Sequence, residues 1–166
     1  MCVFDATFPA SPAHVTLAKA KMDGPMRAPW HLWLIGVVSL IWNGFAAADY
    51  VMTQIQFEPY MSQFTDIQRE YFLGFPKWVQ GSWALAVWLS VLGSTFLLLR
   101  LRYAGACFGL ALIFMAATSV HNFILADVRM SQIAGTKALW FSLAIAIVAI
   151  LLWVYARVMR RRGVLA

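Results

Sequence analysis

The sequence predicts an all-α membrane protein with four transmembrane helices. Composition is the first reason. Of 166 residues 62% are hydrophobic and 12% charged, against roughly 45–50% and 25% in soluble globular proteins. The second is the set of charge-free stretches at 28–48, 78–99, 103–126 and 138–156. Each approaches or exceeds the roughly 20 residues a helix needs to cross a hydrocarbon core. The third is the placement of charge. Nine of the 13 Lys and Arg precede the first stretch, separate the second from the third, or follow the fourth. That bias puts both termini in the cytoplasm. These figures exclude disorder, and two cysteines, Cys2 and Cys107, exclude a disulfide scaffold. Runs this long do not alternate as barrel strands do.

Residues 1–27 carry Pro9, Pro12, Pro25 and three separated cations, and read as an unstructured cytoplasmic tail. The membrane domain is expected over 28–158, with spans near 30–52, 78–99, 103–126 and 138–156, and a basic tail over 159–166. A signal-peptide cut before Asp49 is read against, because the apolar run outlasts a usual h-region. In the 53–77 loop, Thr65-Asp66-Ile67-Gln68 fits a capping box, and Gly74 with Pro76 stops the helix it starts. Ile67, Tyr71 and Phe75 recur every four residues, as expected of a short interfacial helix. Arg100-Leu101-Arg102 forces a tight hairpin between spans two and three, and Gly135 suits the turn before span four. Arg160-Arg161-Arg162 reads first as a topology anchor and second as a grip on anionic headgroups. Gly93-Ser94 suits close helix packing.

Residues 45–55 align without a gap to 123–133, with six of eleven identical. Phe45, Asp49, Met52 and Thr53 share one helix face, and each finds its like in Phe123, Asp127, Met130 and Ser131. The match predicts a parallel repeat of a two-helix unit, packed about a pseudo-two-fold along the membrane normal. Asp49 and Asp127 would then face each other at the outer edge of the bilayer. Near a helix C-terminus a carboxylate meets the unfavourable end of the dipole, and a proton, Arg129 or a ligand would relieve it. Three readings stand: interfacial residues, a solute or proton site, or a subunit contact. The expected solute-binding cluster is Asn43, Asp49, Gln54, His121, Asn122, Asp127 and Gln132.

No Ser-His-Asp set, His-Glu-x-x-His or P-loop pattern is present, so no catalytic residue, metal or cofactor is assigned and no enzyme is expected. His31 and His121 lie at opposite membrane faces and cannot both ligate one haem within a chain. The +6 net charge flanks spans, so it does not point to nucleic acid. Eight Trp fall mainly near span ends, as an aromatic belt or as platforms for a sugar ring.

Trp42-Asn43-Gly44, Asp49-Tyr50-Val51-Met52-Thr53-Gln54, Tyr71-Phe72-Leu73-Gly74-Phe75-Pro76 and Gly93-Ser94 resemble an uncharacterised family of small four-span bacterial inner-membrane proteins. The family is often labelled sugar transporter. The likeness is strongest over 30–100; Ala46-Ala47-Ala48 departs from the Gly-containing stretch it leads one to expect. It implies a bacterial inner-membrane protein that binds or carries a small polar solute and brings no established site residues. A carrier of four helices would need a homodimer or a larger complex. The alternative is a non-catalytic accessory subunit of a larger membrane complex.

Overall fold

The structure, a computed structural model, describes residues 28–126 and 130–166, apart from the side chains at 130, 131, 134, 137 and 138. It is all-helical, with no strand among the described residues. Helix α1 spans Trp30–Gln54, α2 Glu58–Met61, α3 Asp66–Leu73, α4 Lys77–Leu98 and α5 Ala104–Val120, which runs into a π-helical turn over His121–Leu125. Helix α6 covers Met130–Arg161 and is broken at Gly135 (φ 65°, ψ −168°), a conformation open to glycine. Four segments are long and apolar enough to cross a membrane: Trp30–Gln54, Lys77–Leu98, Ala104–Leu125 and Leu139–Arg161. This is the four-span membrane architecture expected from the charge-free runs.

Lipid tails are as apolar as leucine, so helices in a bilayer gain by packing small residues together rather than by hiding large ones. Helix α1 follows that logic. Its buried positions are Leu32, Gly36, Ser39, Asn43, Ala47 and Thr53, while Trp33, Val38, Ile41 and Phe45 point outward. The buried stripe lies on α4: Asn43 Nδ2 donates to Ser94 Oγ (2.9 Å) and Ser90 O (3.4 Å), and Ser94 Oγ donates to Ser90 O (3.0 Å). Gly93 lets α5 approach α4, since a methyl there would lie 2.9 Å from the Phe108 ring. On α5, Gly109 leaves the room that the Trp153 indole of α6 occupies. The helices therefore pack chiefly in chain order, α1 on α4, α4 on α5, α5 on α6.

Three chain reversals follow one scheme. After α1, Gln56 takes φ 51° and Phe57 N donates to Met52 O (2.9 Å). After α4, Arg100 takes φ 59° and Leu101 N donates to Phe96 O (2.8 Å). After α6, Gly163 takes φ 68° and Val164 N donates to Met159 O (3.0 Å). Each is a Schellman-type cap with a left-handed residue. Gln56 is exposed and non-glycine there. Gln56→Gly is expected to raise stability by about 1 kcal/mol, read as a higher thermal midpoint in detergent.

The last cap gives the basic tail expected from residue 159 a defined path. Helix α6 continues to Arg161, and Val164 and Leu165 are buried at 4% exposure. Ala166 N donates to Arg100 O (2.9 Å), Arg102 N donates to Ala166 O (2.8 Å) and Arg100 Nε donates to Val164 O (3.2 Å). The tail thus closes over the α4–α5 hairpin and joins a core of Leu32, Leu97, Ala104, Phe108, Leu152, Ala156 and Met159. At the same end a 2.7 Å hydrogen bond joins His31 Nδ1 and the Tyr155 hydroxyl.

The two aligned segments take different local forms. Ala48 sits within α1, which continues to Gln54, whereas its counterpart Ala126 is extended (ψ 135°) beyond the π turn. The main partner of α1 is α4 rather than α5. Asp127 and Arg129 lie outside the described residues. The match between 45–55 and 123–133 is one of sequence.

Candidate functional site

The loop between α1 and α4 is built to fold back on the end of α1. The capping box forms as expected: Gln68 N donates to Thr65 Oγ1 (3.3 Å) and Thr65 N to Gln68 Oε1 (3.1 Å). Pro59 in the first turn of α2 pre-sets the backbone there, so Tyr60 returns over α1. The Tyr60 hydroxyl donates to the Asp49 carboxylate. The charge that the dipole disfavours is thus met by a loop hydroxyl. Arg69 Nε fastens α3 to α2 through Met61 O (2.7 Å).

Aromatic rings fill the space beneath this loop. Trp83 meets Tyr50 edge-on at 5.1 Å and lies 6.2 Å from Phe75; Phe75 in turn meets Tyr71 at 5.1 Å and His121 at 5.5 Å. Trp78 closes on the other side of His121 at 5.6 Å. The Tyr71 hydroxyl donates to Asn122 Oδ1 (3.4 Å). Phe75, expected on the interfacial face of α3, lies past its end and is buried.

The seven expected residues therefore separate. Asn43 is spent between α1 and α4, away from the Asp49 end of α1. Asp49 ties down the loop, and Gln54 is exposed at the end of α1. His121 and Asn122 come together on the π turn, and Gln132 is exposed on α6. Asp127 falls outside the described residues. Of the six that are described, only His121 lines the open cleft of ≈770 Å³, whose walls include Glu70, Tyr71, Phe75, Trp78 and Ile133. No group of three or more metal-ligating side chains occurs among the described residues. Glu70, Tyr71 and Trp78 lie outside the expected seven-residue cluster, Trp78 being one of the rings read as belt or as sugar platform. The Tyr71–Pro76 motif held the signal, since a π turn and a glycine–proline stop place its rings against His121.

Burial pushes the pKa of the Tyr60 phenol up, and its bond to Asp49 pushes it further; burial alone pushes the Tyr71 phenol up. Raised values favour the neutral phenol in the fold, so their stabilisation is complete below the ordinary tyrosine value of about 10 and is lost as pH rises through the folded values. A phenolate absorbance titration is expected to show a late-ionising component that Tyr60→Phe diminishes.

No family model, curated protein or solved structure matches the chain.

Proposed function

We propose that this four-span protein binds a small, polar, ring-bearing solute of sugar type in the outer cleft between α3, the start of α4 and the π turn. The observation that carries the reading is the half-exposed Trp78 ring beside His121, with the Glu70 carboxylate and Tyr71 hydroxyl on the same walls. An indole face stacks on the apolar face of a sugar ring, while carboxylate, imidazole and phenol groups bond its hydroxyls. A cleft of ≈770 Å³ suits a small ligand. The resemblance to four-span bacterial inner-membrane proteins labelled sugar transporter agrees with this ligand class. Native mass spectrometry of the protein from its own membranes tests the reading. A small-molecule adduct supports it, and a stably bound larger complex without one favours the accessory subunit.

One observation favours that second reading. Helices α5 and α6 bury only 11% of their apolar windows within the chain, against 28% for α1 and α4. Their outer faces, including Ile113, Phe141, Ile147 and Leu151, suit lipid, a second copy or a larger partner.

We read the charge bias as setting the tail and the α4–α5 hairpin on the cytoplasmic side of the membrane, and the family resemblance as pointing to a bacterial inner membrane. A C-terminal phosphatase fusion is expected to be inactive, and periplasmic activity would reverse the topology.

A further inference from the structure

The docked tail gathers charge at one end of the bundle. Arg100 and Arg102 come from the α4–α5 hairpin, and Arg157, Arg160, Arg161 and Arg162 from the end of α6. The two groups are some sixty residues apart in sequence. They meet because Ala166 pairs with the backbones of Arg100 and Arg102, and Val164 and Leu165 sink into the core beneath. The four acidic residues among the described positions, Asp49, Glu58, Asp66 and Glu70, all belong to the opposite end. Two of the guanidiniums are held over rings, Arg157 above Trp153 at 4.4 Å and Arg102 above Tyr103 at 5.2 Å. Aromatic rings near a span end sit at headgroup level, so these cations are set at phosphate depth.

We infer that the tail-docked arginines form a binding site for the phosphate headgroup of an anionic phospholipid in the adjoining leaflet. Guanidinium forks match phosphate oxygens, and nearby Leu99, Leu151 and Val154 offer exposed apolar surface to the acyl chains. A topology anchor needs only charge on the correct side. A built site needs the two basic segments held together, and that difference can be tested.

The purified full-length protein is titrated with phosphatidylglycerol, and with phosphatidylcholine as control, and the retained lipid is counted by native mass spectrometry. The wild type is expected to retain phosphatidylglycerol in preference, and excess inorganic phosphate should not displace it. Arg102→Gln, whose side chain bonds to and lies over its neighbour Tyr103, should weaken retention about fivefold, the effect of one surface charge. Val164→Ser with Leu165→Ser keeps every arginine but frees the tail, and should lose the preference. Equal retention of phosphatidylcholine, displacement by phosphate, or wild-type retention in Arg102→Gln would each overturn the site. So would wild-type retention in the folded double variant; if that variant does not fold, Arg102→Gln decides the question.

Discussion

Gly93→Leu is expected to cost about 3 kcal/mol of stability, the upper part of the range for overpacking a tight interface. A single methyl at Gly93 already lies 2.9–3.1 Å from three atoms of the Phe108 ring, and Phe108 is itself 2% exposed. The ring cannot retreat without parting α4 from α5. Phe108→Ala alone should also cost about 3 kcal/mol, through the cavity it leaves. The double variant is expected to lose clearly less than the sum, because the new leucine fills the space the ring vacates. Thermal unfolding in detergent measures all three. Strict additivity would show that the two residues do not share one contact.

Val164→Ala with Leu165→Ala is the second large effect. The pair removes five buried carbon groups, four methyls and a methine, from the core that α1, α4, α5 and α6 share with the tail. At about 0.8 kcal/mol each the upper bound is about 4 kcal/mol, and a fall of about 3 kcal/mol is expected once the denatured chain's own burial is allowed for. The loss should appear as a lower thermal midpoint and as proteolysis at the arginines of the freed tail. An unchanged midpoint would contradict the docked tail.

The spans were legible because the bilayer leaves few choices. A run of about 20 uncharged residues has to close its own hydrogen bonds, and it does so as a helix. The capping box at Thr65, the stop at Gly74, the tight hairpin at Arg100 and the turn at Gly135 were legible too, since each rests on neighbours in sequence. Val164 and Leu165 were not. Four residues after an arginine run carry no periodicity, and their burial depends on one left-handed residue, Gly163, turning them inward.

The site was legible only in part. Asn43 and Asp49 were grouped as outward polar residues, yet six residues of helix separate them by about 9 Å and about 120°. Helical geometry alone argued against one cluster, and Asn43 instead bonds to Ser94. The partner of Asp49 was sought in Asp127 or Arg129, whereas Tyr60 meets it from a loop whose path depends on the cap at Gln56. Asp49→Asn should therefore leave the fold intact, because the amide oxygen still accepts from Tyr60. His121 belongs to the expected cluster, whereas its neighbour Phe75 is expected on the interfacial face of α3 and Trp78 as a belt residue or a sugar platform.

Solute binding in the outer cleft is the central claim, and intrinsic tryptophan fluorescence of the purified protein, titrated with a panel of monosaccharides, tests it most directly. At least one sugar is expected to give a saturable change. Trp78→Phe and His121→Ala should weaken that binding at least about tenfold, the loss of roughly one good contact, while Asp49→Asn should leave it unchanged. No saturable response to any sugar, or binding that survives both cleft substitutions and falls in Asp49→Asn, would contradict the account.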